Sequence, residues 1–162
     1  MPAPAPDPDP GFAGMTDWNM DTYFCGAALR AWALMSQGDE LLPTRYRKGR
    51  ISEEVAAVFA EAHGLLILER NFRCPLGEID LIAQDGPTIV FVEVRSRYGM
   101  GYGLPQESVT REKQKRLTQL AQWYLKARRL EGRSARFDVL AILWKGQEPE
   151  ITWIPNAFEA TQ

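Results

Sequence analysis

Two apolar runs in this chain carry acids in places where acids are expensive. "EIDLIAQ", residues 78–84, holds Asp80, and "TIVFVEVRSR", residues 88–97, holds Glu93 with Arg95 two places on. Residues two apart in a strand share a face, so Glu78 lies with Asp80 and Glu93 lies with Arg95. A carboxylate taken into an apolar interior is strongly disfavoured unless a partner, a proton or a metal compensates it. "DGP", residues 85–87, supplies a tight reversal between the two runs, and pairing them around Gly86 and Pro87 sets Asp80 opposite Glu93. Two carboxylates placed in this way can share one hard divalent ion, Mg²⁺ or Mn²⁺, which keeps several waters and bridges to phosphate oxygens. Such an ion offsets the charge that develops on a phosphodiester and lowers the pKa of an attacking water. Arg95 beside it serves the same charge. The competing reading is structural: Asp80 and Glu93 sit at strand ends and pair with Arg95, Arg97 or Arg73.

The elements that must position these residues can be read from periodicity. Ile51, Val55, Val58, Phe59 and Ala62 recur at helical spacing, and Gly64 closes that segment, which predicts a helix over residues 51–63. "LLILERNF" reads as a strand, and the two acid-bearing runs follow it as a hairpin. "YGMGYGLPQ" is too irregular for a phosphate-cradling or dinucleotide motif and reads as a mobile connection. Thr110 is then placed to cap a helix running to about Leu130, whose buried stripe is Leu117, Leu120, Ala121, Tyr124 and Leu125. "RFDVLAIL" and "EITWI" complete the set as a fourth and a fifth strand. That order implies an α/β sheet sandwiched by helices.

Bulk properties narrow the function classes. The chain has 162 residues, enough for one domain with a full core, and no apolar run approaches the length of a bilayer span. "MPAPAPDPDPG" alternates Pro with Ala and Asp and reads as an extended tail without the basic start of a signal peptide, while residues 23–35 could form a short helix. The expected division is a variable or disordered extension over residues 1–44 and a folded domain over residues 45–162. Cys25 and Cys74 are the only cysteines, so neither a disulfide framework nor a thiolate cluster can form, which fits a reducing cytoplasm. His63, the only histidine, excludes multi-histidine zinc sites and reads as a helix-end residue. Residues 1–43 carry six acids and one base, whereas residues 110–136 carry nine bases and two acids, a net of +7. A cluster of that density suggests a polyanion, although a solvated helix face is the commoner cause of such runs.

Together the acid, the hairpin and the triplet Glu93-Val94-Arg95 resemble the core of the restriction-endonuclease-like superfamily, known by its PD-(D/E)xK pattern. More closely, the chain resembles the YraN family of small bacterial proteins. The matching pieces are Glu53 with Ala56 in the first helix, "ERNFRCPLGEIDLIAQDG", "VFVEVRSR", "SVTREKQKRL", "RFDVLAI" and "IPNAF", in the family's order from about Arg45 to Phe158. The resemblance implies a restriction-endonuclease-like fold, a central mixed β-sheet flanked by helices. Carried over by position, the metal-binding pair falls on Asp80 and Glu93, the catalytic base on Arg95, and a helix-one acid on Glu53. Helical phasing places Glu54 nearer the apolar stripe than Glu53, so Glu54 stays the alternate. Lys113 and Gln114 match the place where related nucleases set a polar residue toward the site and the nucleic acid backbone. Lys115 and Arg116 on the same helix, and Arg97 past the triplet, extend the expected contacts.

Two departures from the superfamily pattern bear on activity. Ile79 stands where the pattern names proline, and Arg95 stands where it names lysine. Arginine can stabilise phosphate charge but stays protonated near neutral pH, so it is a poor general base. The expectation is a cytoplasmic nucleic-acid-binding protein, DNA ahead of RNA, with a site that hydrolyses phosphodiester bonds using Mg²⁺ or Mn²⁺. The alternative is a nuclease-fold module that holds branched or single-stranded nucleic acid without cutting it. A third reading, from another class, is an interaction protein whose acids pair with arginines.

Overall fold

The computed structural model describes residues 44–98, 109–145 and 148–160. The expectations for the N-terminal extension and for most of the glycine-rich connection lie outside these residues. The described chain runs α1 (Thr44–Ala62), β1 (Leu66–Cys74), β2 (Gly77–Asp85), β3 (Thr88–Tyr98), α2 (Arg111–Ala127), β4 (Ala135–Lys145) and β5 (Glu148–Phe158). The strands form one mixed sheet in the order β1-β2-β3-β4-β5, in which only the β3–β4 pair is parallel. The long β3-to-β4 connection through α2 is what a parallel pair requires.

One helix covers each face. Val55, Ala56, Phe59 and Ala60 of α1 pack on Leu81, Ala83, Val90, Val92, Leu140 and Ile142. Leu117, Leu120, Ala121 and Tyr124 of α2 pack on Ile79, Ile82, Ile89, Phe91 and Phe137 on the other side. Strands covered on both faces have no reason to alternate apolar with polar, which is why β2 and β3 read as nearly continuous apolar runs. The small alanines of α1 let its backbone lie close to the sheet, and Trp144 donates its indole N–H to Ser52 Oγ at 3.0 Å inside that contact. At the far side Tyr124 meets Phe72 and Phe91 edge-on, at centroid distances of 5.2 and 5.8 Å.

The ends of these elements follow local chemistry. Gly64, at φ 86°, closes α1 with Leu65 N–H donating to Ala60 O at 3.0 Å, and His63 stacks on Phe59 at 4.0 Å as a helix-end residue. Gly86, at φ 53°, takes the first central position of the β2–β3 turn, and Pro87 supplies the fixed negative φ that follows it. α2 stops at Ala127 rather than near Leu130. The reason is Arg129, which adopts φ 56° and lets Leu130 N–H reach back to Leu125 O at 2.8 Å. A helix stop built on a non-glycine in the left-handed region leaves little trace in a sequence.

β4 also carries a fully buried acid, Asp138. Every lone-pair direction of its carboxylate finds a donor: Arg136 Nε at 3.0 Å and Nη2 at 3.1 Å, Trp153 Nε1 at 3.0 Å, and the Asn156 amide at 2.8 Å. Arg136 continues to Asp85 at 2.7 Å, so the network ties β2, β4 and β5 together. Asp138→Ala leaves the half-buried Arg136 guanidinium with Asp85 alone and takes the acceptor from the Trp153 and Asn156 N–H donors. The expected loss is about 3–5 kcal/mol, measured as the shift of the urea unfolding midpoint at unchanged slope.

Candidate metal and nucleic-acid site at the strand fork

β2 and β3 pair in the register Leu81↔Val92 through Asp85↔Thr88, and there the ladder ends. Continued by one step, this register would set Asp80 opposite Glu93, as the sequence implies. Instead, Asp80 Oδ2 accepts the Val94 N–H at 2.8 Å, so a side chain takes the place of the next backbone bond. Before this point β2 pairs with β1 alone, at Phe72↔Ile79 to Cys74↔Gly77. Beyond it β3 pairs with β4 alone, from Glu93↔Val139 to Tyr98↔Trp144. The sheet forks between the two strands, and Asp80 and Glu93 stand at the crotch.

Glu93 and Arg95 share strand parity with Ile89 and Phe91, which pack under α2, and Glu93 is buried there. Its Oε1 lies 3.2 Å from Arg95 Nε and 3.0 Å from Lys113 Nζ. Lys113 reaches it because Thr110 caps α2 as expected, its Oγ1 accepting the Lys113 N–H at 3.3 Å. A lysine in the first turn of a helix opposes the helix dipole, and the buried carboxylate in front of it offsets that.

Asp80 has the opposite balance. Burial first, then the neighbouring Glu93 charge, raise its pKa from 3.8 to about 7; the Val94 N–H opposes them, Glu53 adds to the rise, and Lys113 lowers it. Of the two helix-one acids, Glu53 is the one whose charge reaches Asp80. Glu54 instead turns away to Arg70, at 2.7 Å. The choice depends on where α1 lies across the fork, which helical phasing alone does not contain.

The remaining expected residues fall into two groups. Gln114 folds back to donate to Val109 O at 3.0 Å, and Arg116 donates to Leu76 O at 3.1 Å, so both secure the N-terminal end of α2. Lys115 and Arg97 are exposed. The basic run is largely committed to the fold. Arg128 pairs with Glu69 at 2.7 Å, Arg133 donates to Pro87 O at 3.0 Å, and Arg136 belongs to the Asp138 network. Among the described residues, Arg111, Lys115 and Lys126 make no such pairing, and at their spacing they form one exposed stripe along α2, with Trp123 exposed beside it.

The donor set suits a hard divalent ion of the Mg²⁺ or Mn²⁺ kind. Asp80 and Glu93 bring carboxylates to the fork from neighbouring strands, the mutual repulsion that helps to raise Asp80 is what a cation would relieve, and such ions are commonly held by one or two carboxylates with water and phosphate completing the shell. Among the described residues, no group of three or more His, Cys, Asp and Glu side chains is arranged to enclose a metal. The arrangement is an open two-acid site, not a closed cage.

The raised Asp80 pKa has a definite sign in stability. Between about pH 4 and pH 7 the folded state holds the proton more tightly than the unfolded chain, whose Asp titrates at 3.8, so this residue's contribution is complete at low pH and is lost as pH rises through about 7. Asp80→Asn keeps an oxygen to accept the Val94 N–H and removes the charge. Thermal melts should show the variant more stable than the wild type at pH 8, by about 3 °C for each kcal/mol relieved, with the difference shrinking toward pH 4. A variant less stable at pH 8 would make Asp80 a structural ion-pair partner.

Comparison with known proteins places these features. A family model described as "Uncharacterised protein family UPF0102" matches residues 52–142. A "UPF0102 protein" of Syntrophus aciditrophicus (strain SB) is 49% identical over 113 residues, covering 70% of this chain and 89% of the relative. That of Moorella thermoacetica is 53% identical over 105 residues, covering 65% and 88%, and that of Geobacter metallireducens 51% over 112 residues, covering 68% and 91%. The matched span holds α1 from Ser52, the strand fork with both acids, α2 with Lys113, and β4 as far as Ile142. On that coverage, the chain belongs to the UPF0102 (YraN) family.

Proposed function

We propose that this protein binds nucleic acid and hydrolyses phosphodiester bonds with Mg²⁺ or Mn²⁺ held by Asp80 and Glu93. The observation that carries the reading is the fork itself, an open point where Asp80 from β2 stands beside Glu93 from β3, with Arg95 and the Lys113 ammonium from α2 at ion-pair distance from Glu93. The fold, a five-stranded mixed sheet between two helices, agrees with the restriction-endonuclease-like architecture in which such sites occur. When bound, the ion supplies positive charge for the phosphate and lowers the pKa of a water.

The protein groups have separable roles in this reading. Asp80 and Glu93 are fixed by the sheet, so the ligand oxygens are positioned without rearrangement. Arg95 presents a permanent positive charge to the phosphate oxygens and keeps its proton, which makes it a clamp and leaves the base to another group. Glu53 approaches from the α1 side and orients the water shell. The stripe of Arg111, Lys115 and Lys126 tracks the backbone of the polyanion, DNA before RNA.

A second reading, binding without cleavage, has its own support. The oxygen of Glu93 already has two cationic partners, and the lysine of the superfamily triplet is arginine here. A panel of duplex, single-stranded and branched DNA and RNA, incubated with Mg²⁺ or Mn²⁺, separates the two. The proposed activity gives products with wild type and none with Asp80→Ala. Retained binding with no turnover under any metal assigns the non-cleaving role.

Binding should weaken steeply with salt, because each neutralised phosphate releases a counterion. Reversing Arg111, Lys115 and Lys126 to Glu should weaken binding alike for all sequences and flatten the slope of log K against log salt by about one unit for each phosphate that is no longer neutralised. Fluorescence anisotropy across a salt series reads both effects. An unchanged slope would assign the stripe to solvation alone.

A further inference from the structure

We propose that Lys113 is a tethered counter-ion which holds Glu93 while the site is metal-free and which a divalent cation must displace. The inference rests on the metal-dependent reading above and adds its regulation. Lys113 Nζ lies 3.0 Å from Glu93 Oε1, the oxygen that Arg95 Nε approaches to 3.2 Å. A metal ligated by that oxygen would sit within a few ångströms of the ammonium, where two positive charges repel strongly in a partly dehydrated setting. One of the two must leave.

Of the two basic groups on Glu93, Lys113 is the one able to go. Arg95 rises from β3 with its Nε buried beside Glu93, so that end of the guanidinium has no direct path to solvent. Lys113 hangs from the first turn of α2 on a flexible four-carbon stem, and its side chain is 36% exposed, so a path to solvent is open. The helix cap at Thr110 fixes the backbone of this turn whichever way the side chain points, since it uses the Lys113 amide and not its ammonium. On metal entry the ammonium swings outward along the start of α2, the end of the helix from which the Arg111 and Lys115 stripe begins. There it would be free to pair with a phosphate of bound nucleic acid. Metal loading and backbone capture then share one moving charge, and the free protein is protected from gathering metal without substrate.

The signs this sets are opposite for the two ligands. Removing a basic residue next to the site should tighten binding of free metal and weaken binding of nucleic acid. A purely structural Lys113 would loosen both, and a lysine that merely contacts phosphate would leave metal affinity unmoved.

The test is a calorimetric titration of full-length protein with MnCl₂ at pH 7.5, without nucleic acid, for wild type, Lys113→Met and Lys113→Arg. Methionine keeps most of the apolar stem and removes the charge; Lys113→Gln serves as a second neutral variant should the first fold poorly, with circular dichroism melts as the check. The expected result is Mn²⁺ binding at least about ten-fold tighter in the neutral variant than in wild type, with Lys113→Arg no tighter than wild type. Equal or weaker binding by both neutral variants, where wild type binds Mn²⁺, overturns the counter-ion role and leaves the two-acid site intact. Absence of Mn²⁺ binding in every variant, with folded melts, overturns both the inference and the metal-dependent reading on which it rests.

Discussion

The structure turns on one hydrogen bond, from the Val94 amide to the Asp80 carboxylate. Strands that have begun to pair normally continue, because an unpaired buried amide is costly. Here the amide is satisfied by a side chain, so the ladder can stop without that penalty. β2 then follows β1 and β3 follows β4. The opening that results is the space in which Glu93, Lys113 and Glu53 address Asp80. A neutral acceptor at residue 80 would preserve the fork, and only an ionisable one brings a charge to it.

Among the described residues, two aspartates face inward, and the fold treats them differently. Asp138 is encircled by Arg136, Trp153 and the Asn156 amide, and it stitches three strands together. Asp80 receives one amide, and the charges of Glu93 and Glu53 act on it with only the weaker opposition of Lys113. A fold that sought only stability would surround Asp80 with donors as it does Asp138. The imbalance at residue 80 is the one that the proposed cation would relieve.

Much of this was legible in the sequence, for reasons that differ by residue. The hairpin announced itself because Gly86 and Pro87 have few other conformations to adopt, and Thr110 because a hydroxyl before an amphipathic run has an N-cap as its natural use. The sheet between two helices followed from the order of periodicities. Glu53 and Glu54 are neighbours on one helix, and only the packed position of α1 tells which acid meets the fork. The charge of residues 110–136 was misleading in its size, since Arg128, Arg133 and Arg136 bind partners that no spacing rule brings near. Asp138 gave no distinct signal: an acid between Phe137 and Val139 looks the same whether it is structural or catalytic until its donors are placed. Its one clue was Arg136, two residues away on the same strand face.

Gly77 illustrates how far such placements constrain change elsewhere. Its φ is 141°, and a methyl group built there would lie 2.6 Å from Nη2 of Arg116, whose guanidinium rests on this turn while donating to Leu76 O. The guanidinium is the tip of a flexible, exposed side chain and could swing clear, so the contact alone does not reserve the position for glycine. The backbone does: at that φ any L side chain is strained whatever stands at residue 116. Shortening the arginine would therefore free the space above residue 77 without freeing residue 77 itself.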